Sequence, residues 1–133
     1  MKVFTNTPRY SERWNAVDDN NVFVGFDYGS CCCESFKAAF YRKVPDKDIW
    51  VEMQDDEFKA DNTYAFDIKF FENSGIPGIH DDQDFDNGGC VKFRAMNAEG
   101  EEIFLVLENT HNGYYSHGFE AAINGQKWQE GSI

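Results

Sequence analysis

Thr63-Tyr64-Ala65-Phe66-Asp67-Ile68-Lys69-Phe70 sets the reading of the whole chain. A period of two marks a half-buried strand, so Tyr64, Phe66, Ile68 and Phe70 are expected on one face, with Thr63, Ala65, Asp67 and Lys69 opposite. The same alternation recurs at Val91, Phe93 and Ala95. Ile103 to Leu107 is apolar at every position, as in a central strand covered on both faces. Tyr115, His117, Phe119, Ala121 and Ile123 then share a face, opposite Tyr114, Ser116, Gly118 and Glu120.

Turn formers separate these runs: Asn97-Ala98-Glu99-Gly100, Asn109-Thr110-His111-Asn112-Gly113 and Asn124-Gly125. Asn-Gly tolerates the positive φ angles of tight hairpins. The C-terminal half is therefore expected to form an antiparallel meander ending in a short strand near Gln126 to Gln129. Val22 to Phe26 and Phe36 to Val44 are further strand candidates, and Tyr10 to Val17 reads as a short helix or an irregular strand. Asn73 to Gly89 is the longest irregular stretch. Strand signals at short intervals predict a single mainly β domain over residues 1–133, an antiparallel sandwich or strongly bent sheet with little helix.

Charge is distributed unevenly. Between Pro45 and Asp86 lie thirteen acidic and three basic side chains, a net charge of −10 out of −12 for the chain. Such a field attracts basic partners and repels nucleic acid and anionic membranes. Direct nucleic-acid binding is not expected, because the Arg9–Arg13 and Arg42-Lys43 groups are small against that excess. Phe58, Tyr64, Phe66, Ile68 and Phe70 interleave with the acids, a composition that predicts a folded segment. The N-terminal residues lack the apolar run of a signal peptide and no later stretch approaches a membrane span, which points to a cytoplasmic protein.

Three of the four cysteines, Cys31, Cys32 and Cys33, are consecutive, a spacing unsuited to ordinary disulfides, so the thiols are expected to be reduced. With Cys90, His80, His111 and His117 they supply enough donors for zinc, yet paired ligands normally come as Cys-x2-Cys or His-x3-His. Asp82, Asp84 and Asp86 alternate as calcium ligands do, but Asn87 stands where an EF-hand loop needs Gly and Phe93 where it needs Glu. Continuing the strand back from Phe36 puts Glu34 on the inward side, where His117 is its obvious partner. No nucleophile elbow and no phosphate-binding loop is present. No enzymatic activity, cofactor or metal is expected on the favoured reading.

The segments Asp27-Tyr28-Gly29-Ser30-Cys31-Cys32-Cys33-Glu34-Ser35 and Asn112-Gly113-Tyr114-Tyr115-Ser116-His117-Gly118-Phe119 resemble small phage and prophage proteins of a family with no assigned function. Those proteins carry a Cys-Cys-Glu-Ser run and a later Asn-Gly-Tyr-Tyr-Ser run. The resemblance implies a viral or mobile-element origin and carries over no catalytic residue. The extra cysteine and the acidic excess are departures from it.

The favoured expectation is an acidic phage-encoded protein that inhibits a host nucleic-acid-binding defence complex, as anti-CRISPR proteins do, inside the host cytoplasm. Its partner would be a basic host protein or ribonucleoprotein. Carboxylates would replace phosphates against Lys and Arg, with aromatic anchors adding shape. The expected contacts are Asp46, Asp48, Trp50, Glu52, Asp55, Asp56, Glu57, Phe58, Asp61, Asp81, Asp82, Asp84, Phe85 and Asp86. One rival is a small metal-binding module or metal-dependent enzyme built on Cys31 to Cys33, Glu34, His111 and His117. Another is a virion or assembly component.

Overall fold

The computed structural model describes residues 1–7, 12–27, 35–54, 63–80, 89–110 and 117–133. Ten strands are found there and no helix: β1 (Lys2–Asn6), β2 (Arg13–Val17), β3 (Val22–Asp27), β4 (Ser35–Lys43), β5 (Trp50–Glu52), β6 (Ala65–Glu72), β7 (Gly89–Met96), β8 (Glu102–Thr110), β9 (Gly118–Ile123) and β10 (Gln126–Ser132). They form two five-stranded antiparallel sheets, ordered β1-β2-β3-β9-β10 and β5-β4-β8-β7-β6. The mainly β sandwich expected from the alternation is thus the architecture observed.

The inner faces of the two sheets meet in one apolar layer. Trp14, Ala16, Val24, Phe26, Phe119 and Ala121 come from the first sheet, and Phe40, Phe66, Phe93, Ala95, Leu105 and Leu107 from the second. Each large side chain so buried stabilises the fold by roughly 1.5–3 kcal/mol. Phe93 is the hub, with ring centroids at 6.3 Å from Phe66, 5.2 Å from Phe71, 6.4 Å from Phe119 and 5.9 Å from Trp128. β8 is covered on both faces, as its unbroken apolar run predicts. Ile103, Leu105 and Leu107 face the inner layer, whereas Phe104 and Val106 join a second cluster with Ala39, Tyr41 and Ile76.

Three local expectations are corrected. The C-terminal half is not one meander, because β6-β7-β8 lie in the second sheet and the β9-β10 hairpin in the first. β4 already occupies the other edge of β8, pairing from Ser35↔Thr110 to Arg42↔Ile103, so the chain crosses over and β9 adds to β3. Asn109 is not a turn residue but a buried strand position whose Nδ2 donates to the Ile133 carbonyl at 2.9 Å. The faces of β6 also differ from strict alternation. Phe66 pairs with Ala95 and Phe71 with Phe93, so five steps along β6 match two along β7. This irregularity turns Phe70 outward onto Phe104 at 5.4 Å, returns Phe71 to the core and leaves Ile68 exposed.

The segment Tyr10 to Val17 resolves, over its described part, into the regular strand β2. The Asn124-Gly125 hairpin has φ angles of 52° and 80°, both in the left-handed region that this dipeptide tolerates. Asn97 Oδ1 accepts the amides of Glu99 and Glu101 at 3.1 and 2.8 Å, closing the β7-β8 turn. Asp18 joins the two sheets. Its Oδ1 accepts the amides of Asn20 and Val22 at 3.0 and 2.9 Å, and its Oδ2 accepts the amide of Phe66 at 2.8 Å.

Candidate recognition surface

The negative charge is sorted by element. The ten strands together carry nine basic and eight acidic side chains, a net charge of +1, while the segments between them carry three basic and sixteen acidic ones, a net charge of −13. Alternation explains the sorting. Most strands spend half or more of their positions on apolar layers, and many of their outward charges lie within reach of opposite charges on nearby strands.

Those cross-strand pairs are specific. Arg94 donates from Nε and Nη2 to Asp67 Oδ2 at 3.1 and 2.5 Å and from Nη1 to Glu102 at 3.2 Å, with its guanidinium 4.7 Å from the Phe70 ring centroid. Lys92 is buried over the Phe104 ring at 5.0 Å, and its ammonium meets Glu72 at 3.1 Å and the Gly75 carbonyl at 3.2 Å. The Arg94 hydrogen bond, and then the Lys69 amide, hold the Asp67 carboxyl below its ordinary value. Lys92, followed by Ser74, does the same for Glu72. Asp67, Glu72 and Glu102 are therefore already paired with cations within the molecule.

Of the fourteen expected contacts, four lie among the described residues. Asp46 sits at φ 63° in the β4-β5 turn, and Asp48 follows, 94% exposed and 3.4 Å from Lys43. Glu52 pairs with Lys37 at 2.5 Å on the edge strand. Trp50 is half-buried against Phe104, with centroids 4.9 Å apart, and serves the outer apolar cluster. Asp55, Asp56, Glu57, Phe58, Asp61, Asp81, Asp82, Asp84, Phe85 and Asp86 lie outside the described residues.

Strand register fixes where the connections attach. Ser35 pairs with Thr110, Gly89 with Asn109, and Phe26 with Phe119, so the strand ends that border segments 28–34, 81–88 and 111–116 at Asp27, Ser35, Gly89, Thr110 and Gly118 lie at one end of the sandwich. His117 anchors that end, exchanging backbone hydrogen bonds with Ile133 at 2.8 and 3.0 Å. The β4-β5 and β7-β8 turns occupy the opposite end, where the Ala98 amide donates to Thr63 Oγ1 at 3.4 Å. Both motifs of the phage resemblance and the acidic run 81–86 are thus attached at the same end.

Among the described residues, the groups considered for metal or catalysis separate. His117 packs between Phe26 and Phe36, at 6.3 and 5.5 Å, on the inner side of the second sheet. His80 lies on the outer side, edge-on to Tyr41 at 5.5 Å, with its side chain 3% exposed. The Ile76 amide donates to His80 Nδ1 at 2.7 Å, which places the neutral ring's proton on Nε2 and denies that atom to a metal. Nε2 lies 3.0 Å from Glu108 Oε2 but is too bent for an aligned hydrogen bond, so the contact is mainly electrostatic. Cys90, across the ladder from Glu108, has its thiol pushed up to about 11 by burial and then by Glu108. A protonated thiol is a poor nucleophile and a poor ligand. Cys31 to Cys33, Glu34 and His111 lie outside the described residues, as do Asp82, Asp84 and Asp86 of the calcium-like run.

A cleft of about 500 Å³ opens on the first sheet, lined by Arg13, Asp27, Gly118, Glu120 and Glu130 among others. Arg13 lies 2.5 Å from Glu120 and 3.8 Å from Asp27, so its charges compensate one another locally. Sequence reasoning missed Asp18, Lys92 and the His80–Glu108 contact. Only Asp18 carried a local signal, since Asp18-Asp19-Asn20-Asn21 after Val17 has the composition of a turn closed by its own side chain. Compared with protein-family models, with curated proteins and with solved structures, the chain matches none.

Proposed function

We propose that the protein is a binding protein whose anionic connections occupy a basic, nucleic-acid-binding surface of a host defence complex, in the manner of anti-CRISPR proteins. The observation that carries this reading is the charge sorting: a frame of net +1 bears connections of net −13. Strand carboxylates such as Asp67 and Glu72 have partners within the fold and Asp18 is buried against backbone amides, so this reading assigns the external Lys or Arg to the carboxylates of the other connections. Asp46, Asp55, Asp56, Glu57, Asp61, Asp81, Asp82, Asp84 and Asp86 are the contacts this reading favours, with Phe58 and Phe85 as apolar anchors. Glu52 and Asp48 contribute less, because each already faces a lysine.

The test is competition. A basic nucleic-acid-guided nuclease from the host is titrated with the protein at low salt, and displacement of labelled nucleic acid is measured. Displacement should weaken steeply as ionic strength rises. Reversing Asp55, Asp56 and Glu57 to lysine should weaken it far more than reversing Glu99 or Glu130. Equal effects at both sets, or no displacement from any basic complex, would remove the reading.

A further inference from the structure

The first sheet ends in β1, a strand whose five residues are all exposed and whose outer edge has no partner among the described residues. Natural sheets blunt such edges with charges, bulges, prolines or short length. The other three edges of this sandwich are treated in that way. β10 carries Lys127 and Glu130 and is irregular between Lys127 and Gln129, β5 has three residues, and β6 is irregular between Phe66 and Phe71 and carries Asp67, Lys69 and Glu72. β1 carries the fewest of these devices: no bulge, no proline and a single charge at its start, Lys2. It pairs without interruption from Lys2↔Val17 to Asn6↔Arg13, contains one charge, and exposes Val3 at 37% and Phe4 at 38%.

We infer that β1 is a self-association edge on which a second copy of the chain adds antiparallel, joining two first sheets into one ten-stranded sheet. Charge argues for a second copy as the occupant. The five strands of the first sheet carry three basic and three acidic side chains, and none comes from the segment 45–86 that holds −10 of the −12. Two molecules can therefore meet through β1 across neutral sheets. A two-fold axis at Phe4 is also self-complementary. It sets Phe4 against Phe4 of the second copy as an aromatic cross-strand pair, Val3 against Thr5 and Lys2 against Asn6, with no like charges directly opposed. An interface of one short strand per copy is small, so the association is weak and concentration-dependent.

The inference does not depend on what the loops bind, and salt separates the two. Raising ionic strength should strengthen this dimer, because it screens two bodies of net charge −12, whereas it weakens binding to a basic partner. Sedimentation equilibrium up to about 1 mM chain should give a mass rising from 15.3 kDa toward twice that value. Phe4→Lys places like charges opposite one another and should raise the dissociation constant at least about ten-fold, with circular dichroism and thermal midpoint unchanged. Phe4→Cys should form an intermolecular disulfide with itself, identified by peptide mass spectrometry, whereas Lys2→Cys alone should not. A constant mass of 15.3 kDa, a dimer unaffected by Phe4→Lys, or equal cross-linking from both cysteine variants would overturn the inference.

Discussion

Asp18 is a single carboxylate that bonds to both sheets, and replacing it measures what that link adds to the apolar layer between them. Its Oδ1 holds the β2-β3 turn through Asn20 and Val22, and its Oδ2 reaches the other sheet at the Phe66 amide, 2.8 Å away. The residue is 6% exposed, so water does not readily take over these donors. A hydrogen bond to an ionised group contributes about 1.5–3 kcal/mol net, and an orphaned buried amide costs about 1–3 kcal/mol. Asp18→Asn keeps one oxygen acceptor, which serves the turn, and turns its NH₂ toward the Phe66 amide, donor against donor. The expected loss is about 2–3 kcal/mol, and Asp18→Ala, which also frees the turn, should lose about 3–5 kcal/mol. Against the roughly 5–15 kcal/mol typical of a single domain, either is a large fraction. Urea denaturation followed by tryptophan fluorescence would read both values. If Asp18→Asn stays within about 0.5 kcal/mol of the parent, the Phe66 bond does not hold the sheets and the reasoning fails.

Two further outcomes test the electrostatics. Asp67 and Glu72 have folded-state values lowered from 3.8 and 4.5, so their stabilising pairs are intact above those unfolded values and are lost as pH falls through the lower folded ones. Asp67→Asn should therefore be less stable than the parent at pH 7, with the gap closing in acid below pH 4; a gap independent of pH would count against the Arg94 pair. Cys90, whose thiol is pushed up from 9.0 to about 11, carries about one hundred-fold less thiolate at pH 8 than an unperturbed thiol. Its higher basicity offsets part of this, so alkylation should run about ten-fold slower than for a free cysteine peptide. Peptide mapping after timed iodoacetamide labelling checks the rate, and fast labelling in the folded state would mean the thiol is neither buried nor beside Glu108.

Much of the frame could be read from alternation because burial on one face of a strand is a local property. β3, β4, β7, β8 and β9 stood out for this reason, and β8 showed its central position through the unbroken run Ile103 to Leu107. β1 escaped notice because every residue is exposed, which removes the contrast that periodicity detects, and β5 because three residues hold less than two periods. Sheet membership is non-local. Nothing in Gly118 to Ile123 says that the place beside β8 is taken by β4. The same limit applies to the surface. The acidic excess of 45–86 was visible in composition, but Asp67–Arg94 and Glu72–Lys92 arise from β6-β7 pairing and neutralise carboxylates that composition counts as free.

The slip in β6 also bears on how the gene can vary in length. Phe66 and Phe71 both point inward although five steps, an odd number, separate them, so a regular ribbon of that length would turn one of them to the wrong side. Losing one or three codons between them leaves an even spacing, which an unkinked strand accommodates with both rings inside. Losing two leaves an odd one, which still demands a distortion. Homologous chains should accordingly differ here by odd numbers of residues, a parity rule that sequence alignment alone can examine.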